Sequence, residues 1–169
     1  MDKKIIGSQE WCSFKSLNIS LVKARIDSGA KTSSIQSTNI KKFNKGKESW
    51  VSFDVNPIQD NLSIAVHCES KITDIRVVKS SSGISEKRFV IKENITLGDA
   101  TFEIELTLAN RDGMDFRMLL GREAMADRFI VDPAQKCLTG EVTEDELENY
   151  YKHLIHEKSG LSIGLLATD

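Results

Sequence analysis

Asp27-Ser28-Gly29-Ala30 closes an apolar-alternating run in "ARIDSGAKTSSIQS", residues 24–37. Asp, Ser and Gly each populate turns for ordinary hydrogen-bonding and backbone reasons, so the tetrapeptide taken alone reads as a turn. It is also a place where a carboxylate could activate water. The other residues able to do hydrolytic chemistry are poorly arranged for it. A zinc peptidase needs about three His, Asp, Glu or Cys ligands and an open position, often on an HExxH helix, and no HExxH occurs. His153 and His156 stand i, i+3 on an acidic segment, the spacing of an ordinary solvated helix face. His67 and Cys68 are strand neighbours and so point to opposite faces, a poor chelate. Nothing resembles a Walker motif, and no cofactor is expected.

The elements that must carry Asp27 are mostly strands. "EWCSF", "SLVKARI", "WVSFDV", "LSIAVHC", "DIRVVK", "RFVIKENITL" and "FEIELTLA" are short and rich in Val, Ile, Phe and Trp, with turn signals between them. Such spacing predicts a mainly β protein, a sandwich or barrel. Two helices interrupt it: "GREAMADRF", long enough for about two turns, and "TEDELENYYKHLIHEK", with Thr143 as N-cap and acids in its first turn. "RVVKSSSGISEKRFVI" reads as a hairpin with a small, flexible tip at Ser80-Ser81-Ser82-Gly83. The apolar tail "SGLSIGLLATD" suggests a final strand or a partner contact.

The chain has 169 residues, 40% of them hydrophobic and 28% charged, which suits one globular domain with a short appendage. Three cysteines without a CxxC indicate neither a disulfide framework nor a zinc knuckle. No apolar run approaches a membrane span, and "MDKKIIGSQEW" lacks the apolar region of a secretory signal, so a cytoplasmic protein is expected. The net charge of −2 hides an asymmetry. Residues 15–47 carry Lys15, Lys23, Arg25, Lys31, Lys41, Lys42, Lys45 and Lys47 against Asp27 alone, while residues 141–157 are strongly acidic. The basic run is either a solvated face or a surface for an acidic ligand. It could also follow phosphates, but apart from Phe43 it lacks interleaved aromatics, which ranks a nucleic-acid binder last.

Far downstream of the Asp27 turn, Met118-Leu119-Leu120-Gly121-Arg122 is an apolar strand end that runs into a helix. Ile26-Asp27-Ser28-Gly29-Ala30 together with this second motif resembles the two-part signature of retropepsin-like aspartic proteases, with the basic hairpin where that fold has its flap. "VKARIDSGAKTSSIQS", "IRVVKSSSGISEKRFVI", "FEIELTLANRDGMDFRMLLGREAM" and "FIVDP" are similar, more narrowly, to the bacterial family long labelled ATP-dependent zinc proteases. Some of its members are linked to a ribosomal-protein glutamate ligase, of the ATP-grasp class, whose poly-α-glutamate tails they trim. The similarity covers roughly Trp11 to Gly140. It implies a retropepsin-like closed β-barrel or sandwich over residues 1–140, with a C-terminal helix and tail over 141–169.

The resemblance implies an aspartic endopeptidase. Hydrolysis by this route needs two carboxylates sharing one proton, and such a pair titrates as a unit. The chain has a single Asp-Ser/Thr-Gly, so the implied enzyme is a C2 homodimer with one Asp27 from each subunit. Gly29 would let its backbone approach the carboxylates, Ser28 would tie the two turns together, and Gly121 would allow close packing of the second motif or serve an ordinary strand-to-helix turn. Substrate would lie along Ala30, Lys31 and Thr32. Viral retropepsins carry acids just after the Ala; Lys31 here favours an anionic substrate. Arg76, Lys79 and Arg88 in the hairpin, with Arg117 or Arg122 beside the second motif, make a basic cleft for glutamyl carboxylates. Arg122 could equally brace the dimer or the turn. The rival reading is a non-catalytic module of the same fold that holds an acidic peptide or a ligase partner.

Overall fold

The computed structural model describes residues 2–79, 82–110 and 115–154. The hairpin-tip residues 80 and 81, the turn at 111–114, His156 and the tail "SGLSIGLLATD" lie outside the described residues. Among those described are twelve strands: β1 (Lys4–Ile6), β2 (Gln9–Phe14), β3 (Ile19–Asp27), β4 (Ser33–Gln36), β5 (Thr38–Lys45), β6 (Glu48–Val55), β7 (Val66–Lys71), β8 (Asp74–Lys79), β9 (Ser85–Leu97), β10 (Ala100–Ala109), β11 (Met118–Gly121) and β12 (Phe129–Val131). Two α-helices, α1 (Arg122–Met125) and α2 (Glu144–Tyr150), and a 3-10 turn at Lys15–Leu17 complete them.

A seven-stranded sheet runs in the order β10, β4, β11, β3, β2, β9, β8, and β9 pairs back onto β10. That extra pairing closes the sheet into a barrel and leaves β8 as a flange on β9. Closure removes the barrel's own edges. Alternation fills the interior: in β2, Glu10, Cys12 and Phe14 are buried while Gln9, Trp11 and Ser13 are partly open. Phe14, Ile19, Val22, Ile35, Ile91, Ile95, Leu106 and Leu120 share the core. A second sheet, β5-β6-β7, packs Val51, Phe53, Val55 and Cys68 onto the same core, and β1 pairs in parallel with β12. The mainly β barrel expected from the sequence is thus what the chain forms.

Three details differ from expectation. The helix after Gly121 has one turn rather than two: Ala126 leaves it in an extended conformation (φ −55°, ψ 133°), and Asp127 takes a left-handed φ of 67° that turns the chain into β12. The strand expected from Leu62 begins only at Val66, because the Asn56 side-chain amide donates to the carbonyls of Leu62 (3.2 Å) and Ile64 (2.9 Å) and holds that stretch as a loop. The C-terminal helix has the expected Thr143 cap, as a full capping box with Glu146, yet it is no loose appendage. Leu147 and Tyr151 belong to the barrel core, and the Tyr151 hydroxyl donates to the Leu21 carbonyl and accepts from the Leu21 N–H at 2.9 Å.

The thiols of Cys12, Cys68 and Cys137 are free, and the first two are buried. Burial pushes the Cys68 thiol up to about 12 and Cys12 well above the usual thiol range. His67 points outward onto Asp54 at 2.8 Å while Cys68 points into the core, the opposed directions that strand geometry requires.

Candidate active site

Asp27 is the last residue of β3 and pairs in parallel register with Gly121, the last residue of β11. Two parallel strands therefore deliver their C-terminal ends side by side. The chain leaving Asp27 turns tightly: the Gly29 N–H donates to Asp27 Oδ1 (3.0 Å) and the Ala30 N–H to the Asp27 carbonyl (3.3 Å). Asp27 is thus a turn residue through one oxygen. Its Oδ2 has no hydrogen bond among the described residues and is available for chemistry.

The second motif clamps this turn from below. Arg122 N–H donates to the Ala30 carbonyl at 2.8 Å, Glu123 N–H to the Lys31 carbonyl at 3.2 Å, and Gly121 N–H to Ser33 Oγ at 3.0 Å. The Arg122 guanidinium adds a bond to the Gly29 carbonyl at 3.3 Å. A Cβ on Gly121 would sit 2.7 Å from the Thr32 carbonyl carbon and 3.0 Å from the Ala30 oxygen, so the approach excludes any side chain there. A Cβ on Gly29 would lie 3.2 Å from Asp27 Oδ1, so a side chain there would push the carboxylate by a few tenths of an ångström. Ser28 is exposed.

The basic residues expected around a cleft divide into two groups. Lys31 is exposed beside the turn, with only a loose pair to Glu123 at 3.8 Å, and Lys79 is exposed near the hairpin tip. Arg122 touches the turn itself. Arg76, by contrast, is matched within its own chain: its Nε meets Asp74 at 2.8 Å and its Nη2 meets Glu105 on β10, which fastens the β8–β9 hairpin to the barrel wall. Arg88, opposite Arg76 across that hairpin, is only 7% exposed and pairs with Glu86 at 3.3 Å. Arg117 lies at the other end of β11 from Gly121, buried with its guanidinium on Gln36, so the structure does not bring it to Asp27. A concavity of about 280 Å³ beside Thr32 and Ser33 is lined by Glu103, Glu105, Glu123 and Arg128. Larger cavities of about 550 and 590 Å³ lie elsewhere and do not touch Asp27. Among the described residues, no three His, Cys, Asp or Glu side chains cluster as a metal ion would need.

Two supporting residues escaped the sequence reading. Ser33 receives the Gly121 N–H, and nothing in "KTSS" distinguishes it from its neighbours. Glu10 did carry a signal, since it shares the parity of Cys12 and Phe14 and so had to face inward. Its buried carboxylate accepts from the N–H groups of Gly7 (2.7 Å), Leu138 (2.9 Å) and Thr139 (3.0 Å) and from the Thr139 hydroxyl (2.8 Å). It thereby ties the segment after β12 to the N-terminal strands.

Residues 5–141 match the RimB-like family, described as "Retropepsin-like aspartic endopeptidase RimB". The chain belongs to this family. A crystal structure of a Legionella pneumophila protein of unknown function is similar to this RimB-like fold, with a TM-score of 0.68 and 29% identity over 82% of this chain and 99% of that one. Curated relatives from Desulfotalea psychrophila and Shewanella pealeana, each named "Probable alpha-L-glutamate ligase", are 53% and 52% identical over 98% and 99% of this chain. A third of that name, from Parasynechococcus marenigrum, is 47% identical over 99% of it. The RimB-like chain spans only 36–37% of the length of these relatives. They also match it beyond residue 141, where the family similarity stops and α2 lies. Among the described residues, no helix is long and apolar enough to cross a membrane.

Proposed function

We propose that this RimB-like protein is an aspartic endopeptidase that works as a C2 homodimer and cuts acidic peptides, poly-α-glutamate tails in particular. The observation that carries the reading is the Asp27 turn, held by Gly121 and Arg122 with one carboxylate oxygen unbonded among the described residues. One Asp27 carboxylate removes a proton from water as it attacks the scissile carbonyl; its symmetry mate donates a proton to the carbonyl oxygen. A single Asp cannot do both at once, which is why the reading needs a second subunit; Ser28, next to Asp27, is exposed. Lys31, weakly paired and exposed, is the group best placed to meet a substrate carboxylate. The names of the longer relatives support a link to glutamate ligation: a peptidase unit of this kind would shorten the tails that a ligase extends.

Asp27→Asn tests it. The variant keeps the Gly29 N–H bond, so it should fold and dimerise normally in analytical ultracentrifugation while losing essentially all cleavage of poly-α-glutamate by mass spectrometry. Cleavage at the native rate would remove Asp27 from the chemistry. The ligase relatives also favour a second reading, a module that holds acidic tails without cutting them. Native protein that binds poly-α-glutamate and leaves it intact would select that one.

A further inference from the structure

The lysines of β5 take no part in the site above. β5 pairs with β6 on one side, and on its other side no strand stands among the described residues. Residues 38–47 contain Lys41, Lys42, Lys45 and Lys47 and no carboxylate. The sheet's own acids are engaged within it: Glu48 with Lys71 (3.3 Å), Asp54 with Asn39 and His67 (2.8 Å each), and Glu69 with Lys45 (3.6 Å). Lys41, Lys42 and Lys47 are exposed and make no ion pair among the described residues. Beside them Phe43 and Trp50 stack at 6.5 Å, with the Lys45 ammonium 4.0 Å from the Trp50 ring.

An open edge presents unpaired N–H and C=O groups to any extended chain, and lysines along it repel most candidates, a second copy of itself included. A strand of carboxylates is the exception. Strand alternation puts Lys41 and Lys45 on the face of Ser52 and Trp50, and Lys42 on the opposite face. An amphipathic acidic strand would satisfy one face only; an unbroken run of acids meets lysines on both.

We propose that β5 is an exosite that binds an extended, continuously acidic peptide as an added strand, with Lys41 and Lys42, unpaired among the described residues and one on each face, receiving its carboxylates. The inference rests on the acidic-substrate reading and adds to it a second point of attachment. β4 and β5 follow the Asp27 turn in the chain, and a tail held on β5 would stay attached between cleavage events. Eight residues at about 3.4 Å each cover the strand, so affinity depends on length.

The test uses the full chain carrying Asp27→Asn, with a poly-α-glutamate peptide of about eight residues as probe. Binding is read by calorimetry and by hydrogen exchange at the β5 amides. Expected are protection of β5 and binding weakened about tenfold or more by Lys41→Glu with Lys42→Glu, and less by the Gln pair. Both positions are exposed, and circular dichroism checks folding. Unchanged affinity in the Glu pair overturns the exosite, as does aggregation of that variant without loss of affinity, which would make the lysines edge protection only. Tighter binding of a single-stranded oligonucleotide than of the peptide overturns it too. Native enzyme that cuts the peptide while the Glu pair binds it unchanged keeps the peptidase and loses the exosite; protection of β5 without any cleavage does the reverse.

Discussion

Gly121→Ala probes the contact on which the Asp27 turn depends. Gly121 has an ordinary extended backbone (φ −84°, ψ 170°), so alanine meets no conformational penalty there and the entire effect is steric. The added Cβ falls 2.7 Å and 2.9 Å from the Thr32 carbonyl carbon and oxygen and 3.0 Å from the Ala30 oxygen, all of them backbone atoms that cannot rotate away. Contact between carbons is comfortable near about 3.5 Å, so the loop must retreat by somewhat less than an ångström. That retreat strains the Arg122–Ala30 and Glu123–Lys31 bonds and carries Asp27 with it. Overpacking of this size costs about 1–3 kcal/mol, and misplacing a catalytic group by about 1 Å lowers rate on the order of a hundredfold. Urea unfolding and peptide cleavage would be measured together. Gly46→Ala is the control: φ is +60° with nothing within 4 Å, so it should cost about 1 kcal/mol of stability and no activity. A Gly121→Ala protein with native stability and cleavage would refute the argument that this close approach sets the site.

Charge reversal at Lys31 should raise KM for acidic peptides several-fold and leave neutral ones nearly unchanged; an equal loss on both would take Lys31 out of specificity. Arg76→Ala should instead loosen the hairpin, speeding amide exchange in β8 and lowering cleavage of acidic and neutral peptides alike. Tyr151→Phe leaves the Leu21 N–H and carbonyl without their partner and should cost about 1–3 kcal/mol in urea unfolding. Burial pushes the Tyr151 phenol up to about 12, against about 10 in an unfolded chain. Its contribution is therefore complete below pH 10 and lost as pH rises through 12, about 3 kcal/mol in all. Unfolding followed from pH 8 to 12 should show a steeper loss in the native protein than in Tyr151→Phe, the buried Cys12 and Cys68 thiols contributing the same loss to both.

The barrel was legible because alternation in the strands is a local pattern; the Asp27 and Gly121 motifs were brought together only by the family resemblance, since each alone reads as an ordinary turn. β5 was not legible, since a strand with four lysines in or just beyond it lacks the apolar parity that marks a strand, and it forms because β6 offers a partner. The single turn of α1 was hidden as well, because Ala126 favours helix locally and only the need to reach β1 through Phe129–Val131 ends it. The basic residues were legible as charges but not as partners. Arg76 and Arg88 look alike in the sequence, and their acids include Glu105, which only barrel closure brings near. The role of Tyr151 depends on docking across 130 residues of chain, which no local pattern encodes.

β9 belongs to two structures at once. Residues up to Val90 pair with β8 in the hairpin, residues from Val90 to Leu97 pair with β10 in the barrel, and Val90, fully buried, is partnered in both registers. Insertions or deletions at the hairpin tip therefore stop at Val90: they change how far the hairpin reaches without shifting any pair in the wall that carries Asp27. The length of the hairpin and the register of the barrel wall are thus set independently, on either side of one buried residue.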